Sequence, residues 1–363
     1  ANMLATGTFL GHVVMLDPDT GKPRLEIRRA HRGPCKAVTL SPDGLMVASG
    51  GYDSLVKLWN MCGQVKHVFR GHTSPITAVQ FCADQSMLAS SSEDGTVRVW
   101  NVQTGAMEAV LTGHVGEVHC VSFDPTSADG RRLASGGQDC RLWRWDLLAW
   151  RMRGVNKRWP QKEAHHPRPI ISLAYSPDGK CMACGFVNGR IEILDAASGA
   201  VVHVISPTRP HRTFNNTVAF SPDGETLAYS RNRDVAAINV ERGEVEWKVG
   251  VEAEYLTSIT KEDPRRHPCQ MTIAFSPDGT SLATSGTYVQ GCHRDGHASV
   301  FDAATGALRR TIVHETGVTA LAFGKDMRPE ARAAFAMVLG RRLGNLSPLA
   351  ALDAEVVRLI CDL

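Results

Sequence analysis

Apolar and polar residues alternate at period two along most of the chain, in short runs broken by turn residues, a pattern that predicts half-buried strands. One kind of run is apolar and ends in an aromatic residue or Leu just before a turn. It recurs at residues 36–40, 77–81, 118–123, 170–175, 217–220, 271–275 and 318–323. Four of the turns that follow read Ser-Pro-Asp-Gly, starting at Ser41, Ser176, Ser221 and Ser276. Pro sets φ there and Gly admits positive φ, so these are turns with a mechanism. A second kind of run closes on Asp or Asn, at residues 13–17, 56–60, 97–101, 142–146, 191–195, 235–239 and 298–302.

The two series are offset. The first closing run precedes the first inner run, and the last inner run has no closing run after it. A closed ring resolves this. Residues 3–29 then supply three strands of a sheet whose inner strand comes from residues 317–324. The arrangement removes the free edge that an open sheet must protect. After residue 326 the pattern changes: Pro329 precedes strong helix formers, and Ser347-Pro348 can open a second helix with Leu352, Val356, Leu359, Ile360 and Leu363 on one face.

Residues 71–101 hold the unit in full: Gly71-His72, two alternating runs, Asp94-Gly95 and a run ending Trp100-Asn101. This resembles a repeat of the WD-repeat (tryptophan–aspartate) family, with Asn in place of the last Asp, and its length suits one propeller blade. The resemblance implies an all-β, seven-bladed propeller of four-stranded antiparallel blades over residues 1–326, closed by the N- and C-terminal strands. Blades are expected at about 31–71, 72–113, 114–165, 166–212, 213–266, 267–315, and 316–326 with 1–30, followed by a helical tail at 327–363.

Three repeats supply matched polar sets: His31, Ser49, Asp53 and Trp59; His72, Ser90, Asp94 and Trp100; His114, Ser135, Asp139 and Trp145. Asp, His and Ser invite a hydrolase reading, because a carboxylate-oriented base can activate a hydroxyl. A catalytic set is not normally built three times in adjacent blades. In the family these residues form a hydrogen-bonded tetrad that stiffens the blade, and the resemblance implies that role here. Later repeats put Asn188, Asn232 and Asp295 at the Asp position and Leu194, Ile238 and Phe301 at the Trp position.

Other clusters weigh less. Cys181 and Cys184 lie three apart on a strand and so point to opposite faces, which suits core cysteines rather than a shared metal. Cys292, His293, Asp295 and His297 are the one dense set of ligating types. A tetrahedral site needs converging ligands, so no metal and no cofactor are expected. The stretch 147–168 carries Arg151, Arg153, Lys157, Arg158, Lys162 and Arg168 around Trp150 and Trp159. A whole-chain charge of only +3 argues for a solvated loop there rather than a nucleic-acid surface. The run 347–363 resembles the opening helix of an F-box, which docks a ubiquitin-ligase adaptor; a helix packing on the propeller or a partner gives the same spacing.

No apolar run reaches the roughly 18 residues of a membrane span. Ten cysteines without a disulfide-like spacing suggest a reducing cytoplasmic or nuclear setting. The family implies a non-catalytic platform that binds other proteins or peptides. The residue before each tetrad Asp position is free to vary, so Tyr52, Glu93, Gln138, Val187, Arg231 and Arg294 are expected to form a protein-binding rim around the channel mouth. The alternatives are a ubiquitin-ligase substrate receptor acting through the tail and a propeller enzyme, which needs a pocket of converging ionisable groups.

Overall fold

The computed structural model describes residues 2–127, 130–147, 168–207, 216–231, 234–250, 272–287, 296–314 and 316–325. The expected tail, most of the basic stretch, Arg294, and Cys292, His293 and Asp295 lie outside the described residues.

Seven antiparallel sheets form the blades of a β-propeller. The chain opens with β1 (Asn2–Thr8), β2 (Val13–Leu16) and β3 (Pro23–Ile27). Blade 1 holds β4 (Cys35–Leu40), β5 (Met46–Gly51), β6 (Val56–Asn60) and β7 (Val65–Phe69). Blade 2 holds β8 (Ile76–Phe81), β9 (Met87–Ser92), β10 (Thr96–Asn101) and β11 (Met107–Thr112). Blade 3 shows β12 (Val118–Phe123), β13 (Arg132–Gly137) and β14 (Leu142–Asp146) among the described residues. Blade 4 holds β15 (Ile170–Tyr175), β16 (Cys181–Phe186), β17 (Ile191–Asp195) and β18 (Val201–Ile205). Blade 5 holds β19 (Asn216–Phe220), β20 (Thr226–Arg231), β21 (Asp234–Asn239) and β22 (Val245–Gly250). Blade 6 holds β23 (Ile273–Phe275), β24 (Ser281–Thr287), β25 (Gly296–Asp302) and β26 (Leu308–His314). The last strand, β27 (Val318–Lys325), pairs with β1 to give the order β27-β1-β2-β3 in blade 7. The ring therefore closes with one C-terminal strand and three N-terminal ones, as the offset of the two series requires.

Burial on both faces explains the composition of the second strands. In β5, Val47 packs with Trp59 on the blade 7 side, while Ala48 packs with Leu58 and Ile76 on the blade 2 side. Neighbouring blades approach so closely that a Cβ on Gly50 would lie 2.4 Å from the Ile76 side chain, and one on Gly136 would lie 2.6 Å from Ile170. Only small residues fit there. Cys181 and Cys184 follow the same alternation: Cys184 packs toward blade 3 with Cys120, and Cys181 faces blade 5.

The turns between first and second strands make a second set of contacts around one face of the ring. The turn at Gly179 abuts Thr126, that at Gly224 abuts Pro177, and that at Gly279 abuts Pro222. Asn2 continues the series by donating to Asp278 at 2.7 Å.

Candidate functional site: the polar tetrads and the rim above them

Each tetrad is assembled from four places. The His comes from the loop before the first strand, the Ser from the second strand, the Asp from the following turn and the Trp from the third strand. In blade 1 the Trp59 indole N–H donates to Ser49 Oγ at 2.9 Å, Ser49 lies 2.8 Å from His31 Nε2, and His31 Nδ1 lies 2.8 Å from Asp53. Blade 2 repeats this, with Trp100 to Ser90 at 2.9 Å, Ser90 to His72 at 2.9 Å and His72 to Asp94 at 2.8 Å. In blade 3 the distances are 2.8 Å for Trp145 to Ser135, 2.8 Å for Ser135 to His114 and 3.0 Å for His114 to Asp139. Donation runs in one direction, indole to hydroxyl to imidazole to carboxylate, so every buried group has a partner.

The carboxylates are held ionised. Burial alone would raise Asp53, but the hydrogen bond and charge of His31, with the backbone N–H groups of Arg32 and Leu55, outweigh it and bring it below the usual range. Asp94 and Asp139 are lowered against the same burial, by His72 and His114 respectively. The three serine side chains are fully buried, with both hydrogen-bonding roles of each hydroxyl used inside the tetrad. A substrate has no access to them. Trp143 stacks on Trp145 at 5.1 Å and an interplanar angle of 12°, an addition peculiar to blade 3 among the described residues.

Strand register shows what replaces the tetrads. Cys184, Tyr229, Thr284 and Thr6 stand where blades 1 to 3 have Ser. Leu194, Ile238, Phe301 and Leu16 stand at the Trp position, all buried. Asn188 keeps part of the Asp role by accepting the Arg190 N–H at 3.1 Å, which caps the turn. Asn232 and Asp295 lie outside the described residues.

The removal of one donor from a tetrad has a readable cost. Trp100→Phe leaves Ser90 short of its indole partner, and a buried group so exposed costs about 1 to 3 kcal/mol. Urea unfolding is expected to show that loss, and a smaller one when Ser90→Ala is already present. Equal losses in both backgrounds would count against coupling through this hydrogen bond.

Above the tetrads, the rim position is marked by a shared backbone hydrogen bond. Tyr52 N–H donates to Pro34 O, Glu93 to Pro75, Gln138 to Glu117 and Val187 to Pro169, at 2.8–3.1 Å. Phe9 N–H makes the same bond to Gly317 O at 2.8 Å, so Phe9 is the rim residue of blade 7. Sequence reasoning missed it because Leu10 follows where the tetrad Asp would be; the signal was the distance from the closing run at 13–17. Lys36 and His119 also reach the rim from the first strands. Lys36 Nζ lies 2.6 Å from Glu93 and 5.5 Å from the Tyr52 ring centre, and His119 Nε2 lies 3.3 Å from Gln138 Oε1. Tyr52 and Leu10 remain more than half exposed, and Val115, on the loop before β12, is 74% exposed.

Arg231 is placed differently from expectation. It pairs with Asn216 and Asp234 inside the ladder, with its guanidinium 5.0 Å from the Tyr229 ring, rather than in the turn. The turn of blade 5 is one residue shorter than that of blade 1, which draws Arg231 down into β20. Among the described residues no group of three metal-ligating side chains converges. His297, from the proposed cluster, is buried in β25.

These features define a seven-bladed propeller stiffened by Trp–Ser–His–Asp networks in its first three full blades. The chain carries WD repeats within a seven-bladed β-propeller. A family model described as "WD domain, G-beta repeat" matches residues 22–60, 63–101 and 105–146. The model "Anaphase-promoting complex subunit 4 WD40 domain" matches 142–220, and "Outer membrane protein assembly factor BamB" matches 187–347. The chain is similar to WD repeat-containing protein VIP3 of Arabidopsis thaliana, 29% identical over 36% of this chain and 40% of that one. It is 33% identical to WD repeat, SAM and U-box domain-containing protein 1 of Danio rerio over 52% of this chain and 40% of that one. With Coronin-7 of Rattus norvegicus it shares 38% identity over 25% of this chain and 9% of that one. The matched stretches thus span less than half the length of these relatives.

Proposed function

We propose that the chain is a non-catalytic scaffold that assembles a multiprotein complex by gripping partner proteins or peptides at the tetrad rim. The observation that carries this reading is the rim position itself. Five blades hold it by the same backbone hydrogen bond, while its side chain changes from Phe9 to Tyr52, Glu93, Gln138 and Val187. A rigid frame that presents variable side chains is what partner selection requires, and aromatic residues are the types enriched at the energetic centres of interfaces. The His, Ser and Asp groups that could do chemistry are consumed in structural networks, which supports a binding rather than a catalytic role. Cytoplasmic or nuclear residence belongs to the same proposal, since the described cysteines are all free thiols.

The test is partner capture by Tyr52→Ala combined with Glu93→Lys. The Lys36–Glu93 pair is partly exposed, with side chains 23% and 26% accessible, and such pairs contribute little to stability, about 0 to 1 kcal/mol. Quantitative affinity purification is expected to lose partners while the melting temperature stays within about 2 °C of wild type. Undiminished capture by a folded double variant would place binding elsewhere.

A further inference from the structure

Three loops of the rim are joined into one platform at the seam between blades 7 and 1. The loop 9–12 meets the loop 28–34 through two hydrogen bonds: His31 N–H donates to Gly11 O at 3.0 Å, and Arg29 N–H donates to His12 Nδ1 at 2.9 Å. A Cβ on Gly11 would lie 2.3 Å from Gly33 O, so only glycine allows this approach. Gly33 in turn lies against the 52–55 turn, where its Cβ would be 3.4 Å from that of Tyr52. Arg32 N–H donates to Asp53 at 3.0 Å and fastens the middle loop to the same turn. The platform is thus held largely through its backbone, which leaves its exposed side chains to face a partner.

Two of those side chains are large, apolar and open: Leu10 is 55% exposed and Tyr52 is 54% exposed. The charges around them do not cancel. Arg28 pairs with Glu26, and Lys36 pairs with Glu93. A third carboxylate, Asp53, is engaged by His31 and by the N–H groups of Arg32 and Leu55. Against it stand Arg29, Arg32 and Lys57, whose Nζ reaches in from β6 to donate to Ala30 O. Among the described residues, five cations against three carboxylates leave a surplus of two positive charges. Arg29 and Arg32 are both exposed, and their guanidinium groups make no ion pair with any described residue.

We propose that this seam seats an acidic segment of a partner protein, with one apolar side chain set by Leu10 and Tyr52 and carboxylates on Arg29 and Arg32. The proposal rests on the reading of the rim as a partner-binding surface and narrows it to one seam and one ligand chemistry. Charge complementarity selects the occupant, because a basic segment would meet a surplus of its own sign. A second copy of the chain fails for the same reason, since a two-fold interface would set the surplus against itself. Tyr and Arg together are the types that dominate the energetics of interfaces.

The test uses the full chain and a labelled peptide, followed by anisotropy at constant ionic strength. A central Leu in the peptide is flanked on each side by two Glu and then by Gly-Ser. One counterpart carries Gln for every Glu, and another carries Ser for the Leu. Arg29 holds φ at +52°, which Asn tolerates, so Arg29→Asn combined with Arg32→Gln is expected to fold, with an unchanged melting curve. The Glu peptide is expected to bind wild type and to lose roughly tenfold in affinity to this double variant, the sum of two exposed charge contacts. Leu10→Ser probes the apolar half separately. It is expected to weaken the Leu peptide and to leave the Ser peptide unchanged. Absence of binding, a Gln peptide that binds as tightly as the Glu one, or binding that persists in the double variant overturns the proposal. So does an oligonucleotide of equal charge that binds more tightly than the peptide. Capture of natural partners separates the two readings. If it is lost in Tyr52→Ala with Glu93→Lys but unchanged in Arg29→Asn with Arg32→Gln, the rim reading stands and the acidic assignment falls. If neither pair of changes affects it, both fall.

Discussion

Removing residues 318–325 will lower the melting temperature by roughly 10 °C or more, a loss of several kcal/mol from a chain of this size. The reason lies in what β27 contributes. It pairs with β1 from Asn2↔Lys325 to Thr8↔Val318 and supplies the inner strand of blade 7. Val318 and Leu321 are buried, and sinking side chains of that size is worth about 1.5 to 3 kcal/mol each. Thr319 ties blade 7 to blade 1, with Oγ1 donating to the carbonyls of Gly7 and Cys35. Without β27, β1 becomes a bare edge and the apolar layers on both sides lose a wall. Net stability of a folded domain is only about 5 to 15 kcal/mol, so this one strand decides whether the ring holds. Circular dichroism on heating reads the loss, and a peptide of residues 316–327 added in trans should recover part of it. An unchanged melt in the truncated chain would mean that the ring does not close here.

Stability will also fall as pH drops from about 6.5 to 4. Burial, and secondarily the neighbouring His314, bring His297 from 6.5 down to about 4. Burial lowers His314 as well. A histidine whose folded pKa is depressed binds its proton more readily in the unfolded chain. The unfolded state therefore holds more protons between the two values, and stability rises with pH across that window. The neutral pair contributes fully above pH 6.5, and the contribution is lost as pH falls toward 4. For His297 alone the loss is about 3 kcal/mol. Carboxylates such as Asp17, lowered to about 2 by its hydrogen bond to Arg24, act in a separate and more acid window. Urea unfolding at several pH values reads the slope, and His297→Phe is expected to flatten it between pH 4 and 6.5. The same slope in wild type and variant would sink the assignment.

The architecture was legible because its two markers are local. An inner run before a turn and a run closed by Asp or Asn each depend on neighbours in sequence, and the offset between them carried the closure. The three tetrads were legible for the same reason: Trp, Ser and Asp sit at fixed distances along two adjacent strands. What was not legible depended on register across strands. Phe9 has no tetrad Asp beside it to mark the rim. Arg231 was set one step too high because the blade 5 turn is one residue short. Arg144 reads along the sequence as the polar member of an alternating Leu-Trp-Arg-Trp run. Only pairing with Ala134 shows that it stands in an apolar column. Cys140 holds φ at +62°, where blade 2 uses Gly95, a conformation that its residue type does not announce.

The pairing of β1 with β27 also fixes how the ring responds to pulling. Asn2 and Lys325 face each other at one end of the ladder. Tension applied through these two residues loads the cross-strand hydrogen bonds one after another, like the teeth of a zip, rather than all at once in shear. Blade 7 is therefore the mechanical fuse of the molecule. A tether that draws the two ends apart would part this seam at low force, while the six blades whose strands are contiguous in sequence stay folded behind it.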